Sequence, residues 1–355
     1  MKSELITYGW GEALAAEFSA YLEQGLRPGR IIAEERGGYD IALDDGLHAG
    51  ALAGKFRRSG QPFPAVGDWV AVKNAGGGPL QVSAVLPRRS CLTRKEAGDK
   101  TREQVIAANV DTVFLVTSLN ADFNVRRIER YLTAIWESGA QPVLLLSKLD
   151  CAEDAAGMCA AAEAASPGVP VHAVSALSGA GLDALAQYLK PGKTLALVGS
   201  SGVGKSTLIN RLLGREAQKV KDIREDDAHG RHTTTGRRIF VLASGALLID
   251  TPGMRELQLW DESGAGLSQT FEDIEALMDA CRFGDCGHAG EPGCALSEAI
   301  ASGALSPERY ESYLKLAREL EFLKRKKDKS LHGNSKERWK KIHTDMRKRR
   351  KREGL

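Results

Sequence analysis

The sequence predicts a multidomain α/β chain in three parts: a small β-barrel over 1–105, a layered α/β domain over 106–268, and a helical module over 269–355 that ends in a basic tail. Three observations carry this division. Short β-branched or aromatic stretches alternate with glycine-bearing turns at the start. Strands alternate with helices through the middle, and the last part is helical, charged and holds a Cys/His cluster.

In the first part, 30–33, 39–43 and 68–72 are the clearest strands. About five short strands in so small a span point to an OB-fold barrel. In the second part, 110–116, 142–146, 169–174, 194–198, 238–242 and 246–249 read as strands. Helices are expected at 125–138, 152–165, 182–189 and 206–213, which makes the sheet mostly parallel and covered on both faces. The stretch 214–237 is polar, without apolar period, and reads as a mobile loop. After Pro252 the expected helices are 271–280 and 307–327.

The chain has 355 residues, enough for two or three separately cored domains. No apolar run reaches the roughly 18 residues needed to span a bilayer, and Met1 to Trp10 lacks the layout of a signal peptide. A cytoplasmic protein with no membrane partner, acting as a monomer, is the expectation. The net charge of +3 hides an asymmetry: Lys324 to Glu353 holds 15 Lys or Arg against 4 Asp or Glu, which is +11, so the remainder carries −8. An acidic body with a basic, Trp339-bearing tail points to a polyanion such as RNA, the other reading being a solvated charged end.

Gly199-Ser200-Ser201-Gly202-Val203-Gly204-Lys205-Ser206 fits GxxxxGK[ST] between a strand and a helix, with Thr207 next in the helix. The glycines let backbone N–H groups ring a β-phosphate, and the helix N-terminus adds its dipole. Lys205 would bridge the β- and γ-phosphates, and the Ser206 hydroxyl would ligate Mg²⁺. Asp250-Thr251-Pro252-Gly253 begins 44 residues after Ser206 at a strand end. From there Asp250 can reach Mg²⁺ through water and the Gly253 N–H can meet the γ-phosphate.

The base is read from two more strand ends. Ser147-Lys148-Leu149-Asp150 places a carboxylate where it can accept from guanine N1–H and the 2-amino group, with the Lys148 stem along the base. Adenine lacks that donor pair and would leave the carboxylate unpaired, at a cost of about 1–3 kcal/mol. Ser175-Ala176-Leu177 would offer a backbone N–H to the guanine O6. An ATP-dependent enzyme such as a kinase is the reading that Asp150 opposes.

These segments resemble the signature elements of TRAFAC-class GTPases in permuted order, base-reading loops first and phosphate loop after. Together with Gly230-Arg231-His232-Thr233-Thr234-Thr235, the Cys/His cluster and the basic tail, they resemble the RsgA family of circularly permuted GTPases over nearly the whole length. Ser147 departs from the Asn usual there, which puts the link between base loop and phosphate loop in question. The resemblance implies a ribosome-stimulated GTPase of late small-subunit assembly that binds rRNA. The rival is an RNA-binding assembly factor whose nucleotide site is structural rather than hydrolytic.

In Ras-like enzymes a Gln after the DxxG glycine orients the attacking water. Here Met254 and Arg255 follow Gly253 and neither can do so. His232 is the candidate, on its loop position and on what the resemblance implies; the plain reading is a solvated loop residue. Thr234, rather than Thr233, would close on Mg²⁺ and the γ-phosphate.

Cys281, Cys286 and Cys294 bracket His288 within 14 residues. Three thiolates and one imidazole make a closed tetrahedral set suited to one structural zinc, with no position left for a catalytic water. The resemblance implies the same ion, against a reading as buried reduced thiols.

Overall fold

The computed structural model describes residues 4–35, 37–54, 56, 63–74, 76–95, 103–214, 237–250 and 264–327. These divide into two compact units: Met1–Asn124, Ser138–Glu163 and Val169–Gln258 in one, Val125–Glu137, Ala164–Gly168 and Leu259–Leu355 in the other.

The first unit opens with two helices, α1 (Glu4–Thr7) and α2 (Glu12–Leu22), at the start of a stretch that reads as strand-rich and for which no helix is expected. The reason is local: Leu14 and Phe18 lie on one side of α2 and bury against Trp69 and Leu86, so these helices cap the barrel. The barrel strands are β1 (Arg27–Glu35), β2 (Gly38–Leu43), β3 (Gly46–Leu52), β4 (Trp69–Lys73) and β5 (Leu80–Val85). Their order is β1-β2-β3-β5-β4, and β4 pairs back with β1 to close the ring. This is the expected five-stranded OB-like arrangement. Ile31, Ile41, Leu43, Val70, Val72 and Val82 fill its interior. A separate hairpin, β6 (Cys91–Lys95) with β7 (Glu103–Ala108), follows.

The α/β part contributes β8 (Thr112–Ser118), β9 (Gln141–Ser147), β10 (Val171–Ala173), β11 (Thr194–Val198), β12 (Arg237–Val241) and β13 (Leu247–Asp250). The order is β10-β9-β8-β11-β13-β12, all parallel except the antiparallel β12. Helix α5 (Lys205–Leu213) follows β11 and buries Leu208 and Ile209 among Phe114, Val116, Leu197 and Leu248. The stretch expected as a helix at 182–189 forms a shorter 3₁₀ turn, Leu182–Gln187.

Barrel and α/β sheet share hydrogen bonds. A register shift between Ile31 and Ala33 re-aims β1, so that its start pairs with β4 and its end with β12 (Ala33↔Arg238, Glu34↔Arg237). The result is one 11-stranded sheet. At the α1–α2 turn, Gly9 has φ +87°, and a Cβ there would lie 2.6 Å from the Gly192 carbonyl oxygen. Only glycine allows that crossing.

The second unit holds α3 (Val125–Glu137), part of α4 (Ala155–Ala165), α6 (Ala265–Thr270), α7 (Glu272–Asp279), α8 (Ala295–Ser302) and α9 (Pro307–Lys327). This grouping differs from a division by chain order, because α3, which falls between β8 and β9, is tied to the C-terminal helices. Thr133 Oγ1 lies 3.2 Å from Thr270 Oγ1, and Arg130 forms a two-pronged pair with Glu319 at 2.6 and 2.7 Å. At the centre, buried Arg309 donates to Asp273 (2.7 and 2.8 Å), Glu129 (3.0 Å) and the Ala165 and Thr270 carbonyls. Among the described residues no helix is long and apolar enough to cross a membrane.

Candidate nucleotide site and metal centre

Because β9, β10, β11 and β13 run parallel, their C-terminal ends share one edge, where open α/β sheets take their ligands. Ser147 ends β9, Ser175 follows β10 by two residues, Gly199 follows β11, and Asp250 ends β13. The permuted chain order therefore leaves the spatial order of the site intact.

The phosphate loop is shaped by its glycines. Gly199 has φ +142°, and a Cβ would sit 2.1 Å from the Val116 carbonyl oxygen on the neighbouring strand. Gly204, at φ +94°, is the N-cap of α5, so the helix dipole faces the loop. Lys205 Nζ donates to the Gly199 oxygen at 2.7 Å and also to the Ser200 oxygen. The ammonium is thus held at the loop, within reach of an anion placed in it.

The base loop touches the phosphate loop directly. Ser147 Oγ lies 2.5 Å from the Val203 carbonyl oxygen and 3.1 Å from that of Thr117. A hydroxyl has one proton, and the shorter contact takes it. The hydroxyl in the usual Asn position therefore makes the link that its length put in question. Lys148 adopts a left-handed conformation at φ +61°, and the Leu149 N–H donates to the Val174 oxygen at 3.2 Å, fixing the Asp150 turn beside the Ser175 loop.

Asp150 is exposed, and hydrogen bonds from the Ser175 side chain and the Cys151 thiol (3.2 Å) hold its carboxyl below the usual carboxylate range. It stays ionised throughout the neutral range, as a guanine acceptor must. Ser175 is buried and its Oγ also accepts from the Ser178 N–H at 3.1 Å, so one hydroxyl orders both of the loops expected to read the base. Sequence reasoning missed these two supports of Asp150. Cys151 was findable by adjacency; the Ser175 pairing spans 25 positions and has no local signal. Ala176 packs on the core and Leu177 is exposed. The expected His232, Thr233, Thr234 and Gly253 lie outside the described residues, as does the tail beyond 327.

In the second unit, one ligand atom from each of Cys281, Cys286, His288 and Cys294 lies within 4.8 Å of the others. Cys281 Sγ is 3.4 Å from His288 Nδ1 and 3.9 Å from Cys294 Sγ, and Cys294 Sγ is 3.8 Å from Nδ1. A tetrahedral ion at ordinary Zn–S and Zn–N lengths requires separations of about 3.8 Å between sulfurs and 3.6 Å from sulfur to nitrogen. The donor set therefore fits such an ion. Cys294 is also the N-cap of α8; burial raises its thiol, but hydrogen bonds from the Ser297 hydroxyl (3.1 Å) and N–H (3.4 Å), and from Cys286 and Cys281, bring it below the ordinary value. Glu291 accepts from the Ala289 N–H at 2.7 Å and braces the loop between ligands.

With this geometry in place, the family model described as RsgA GTPase matches residues 85–260. A small ribosomal subunit biogenesis GTPase RsgA of Methanosarcina acetivorans is 47% identical over 345 residues, covering 97% of this chain and 92% of that protein. The chain belongs to the RsgA family. An RsgA of Opitutus terrae is 44% identical over 362 residues and covers 99% of both chains. Among solved structures, YjeQ from Thermotoga maritima superposes with a TM-score of 0.63 at 28% identity, over 83% of this chain and 98% of that one. YloQ, described as a circularly permuted GTPase, has a TM-score of 0.60 at 24% identity over 83% and 95%, a likeness of fold. The loops joined by Ser147 and Val203 fall within the stretch matched by the RsgA GTPase model, and the Cys/His cluster lies beyond it, between α7 and α8.

Proposed function

We propose that this RsgA-family GTPase acts in late assembly of the small ribosomal subunit, binding it in the GTP state, hydrolysing GTP under its stimulus and leaving with GDP. The observation that carries the reading is the Ser147–Val203 contact, which joins a guanine-selective loop to a phosphate loop at one sheet edge. The partner is inferred from the names of the relatives, small ribosomal subunit biogenesis GTPases, and from the +11 charge of residues 324–353, suited to rRNA phosphates.

In this reading Asp150 selects guanine, Ser147 and Ser175 set its loop, and the N–H groups of 199–207 with Lys205 hold the phosphates. Ser206 and Thr234 would hold Mg²⁺, which supplies charge neutralisation, with Asp250 behind it and Gly253 at the γ-phosphate. His232 orients the attacking water. Cys281, Cys286, His288 and Cys294 hold one structural zinc. Residues 1–105 and the tail contact RNA on either side of the 106–268 GTPase, in a monomeric cytoplasmic protein. The rival with a purely structural nucleotide site is not favoured, since the family is one of GTPases. Phosphate release with and without purified small subunits is the test: strong stimulation is expected, and none would refute the reading.

A further inference from the structure

A cavity of about 350 Å³ lies in the first unit, between the barrel cap and the start of β11. Arg30, Arg89, Asp111, Lys193 and Thr194 form its polar side, and Ile6 and Trp10 part of its apolar side. It is distinct from the nucleotide site. Thr194 opens β11 and Gly199 follows its end, so at about 3.3 Å per residue roughly 16 Å separates cavity and phosphate loop, at opposite edges of the sheet.

Its charge is unbalanced. Three cations face one carboxylate, and that carboxylate is already engaged: Asp111 pairs with Lys193 at 2.9 Å and accepts from the Thr194 N–H at 2.8 Å. Arg30 is only 2% exposed, and among the described residues its hydrogen-bond partners are neutral: the carbonyls of Tyr8, Gly67 (3.2 Å) and Asn109 (3.4 Å), and Thr194 Oγ1 at 2.9 Å. It lies over the Trp69 ring at 5.1 Å, and burial pushes it down to about 10. Among the described residues no carboxylate stands within 4.0 Å of Arg30 or of Arg89. Arg89 is exposed, while its backbone N–H is fixed by Asn109 Oδ1 at 3.0 Å. A buried cation on which the carboxylates of Asp111 and Asp68 act without a direct ion pair is costly, and an anion lodged beside it offsets that cost.

We propose that this cavity is a second anion site, which takes a phosphate group as inorganic phosphate or as a small phosphate monoester. The fork of Arg89 and the ammonium of Lys193 at the mouth suit phosphate oxygens, Arg30 supplies positive field from the floor, and Ile6 and Trp10 offer an apolar wall to an organic remainder. The volume is at the lower end of small-ligand cavities, too little for a folded nucleic acid to enter. Nothing in this assignment rests on the GTPase chemistry.

The test uses the full chain with GDP and Mg²⁺ saturating the nucleotide site. Inorganic phosphate and ribose 5-phosphate are titrated separately by calorimetry. Saturable binding at one site per chain is expected, weakened about tenfold or more in the Arg89→Ala/Lys193→Ala double variant, with basal GTP hydrolysis unchanged. Tighter binding of the sugar phosphate identifies a phosphate ester as the occupant, and equal or weaker binding identifies inorganic phosphate. No saturable binding of either probe at millimolar concentration, or equal affinity in the double variant, overturns the site.

Discussion

Ser147 shows how one atom can decide a loop. Its hydroxyl is the side-chain bridge from base loop to phosphate loop among the described residues, so Ser147→Ala removes a buried hydrogen bond worth about 1 kcal/mol and should weaken GDP binding roughly fivefold, read by fluorescent-nucleotide titration. Guanine-over-adenine preference should survive, because Asp150 keeps its own support from Ser175 and Cys151. His232→Ala is expected to lower the subunit-stimulated rate by roughly 10²-fold while GTP affinity holds, and an unchanged stimulated rate would remove His232 from the mechanism. Residue identity made most of this legible: a phosphate loop and a strand-end Asp declare themselves by spacing. The Val203 oxygen as acceptor and Ser175 as a brace did not, since backbone carbonyls carry no sequence signal and the brace depends on where β10 lands beside β9.

At the level of elements, the sequence marks the strand–helix alternation well and the N-terminal helices poorly. Strand β11 and helix α9 stand where apolar pattern and Pro307 place them. Helix α2 was hidden because its buried face is only Leu14 and Phe18, too few to show a helical period. The membership of α3 in the second unit was invisible for another reason: it depends on Arg309, 180 positions from Glu129. Arg309→Met leaves buried Glu129 with half-exposed Arg126 (2.5 Å) as its remaining cation and takes the guanidinium from Asp273, so a loss of about 3 kcal/mol is expected in urea unfolding. Adding Glu129→Gln should recover part of it, and two additive losses would contradict the pairing. The Cys/His loop between α7 and α8 makes its own prediction. Its donors already stand at tetrahedral spacing, so purified protein should carry about one zinc per chain, and chelation should abolish hydrogen-exchange protection around 281–294. Fewer than about 0.2 zinc per chain without chelator would defeat the site.

For the whole molecule, the charge map and the sheet matter together. Phosphate neutralisation makes affinity fall steeply with salt, with a slope set by the number of contacts. Removing residues 328–355 should therefore lower small-subunit affinity and flatten its dependence on salt by several contacts' worth, leaving basal GTP hydrolysis intact. Equal salt slopes for the full and shortened chains would take the tail out of the interaction. The sequence discloses the basic tail and a barrel of five strands. It does not disclose that barrel and α/β sheet are hydrogen-bonded into one, because that join is a two-residue pairing with no motif of its own.

Strand β12 stands between two very different neighbours. On one side Arg238 is in register with Asp250, the carboxylate at the phosphate edge; on the other, with Ala33 of the barrel. The chain enters this strand at Arg237, straight from the segment that bears His232 and Thr234. If His232 and Thr234 act as proposed, a pull on that segment would have a single rung to cross before it arrives at the barrel, which would make hydrolysis and grip mechanically next-door events.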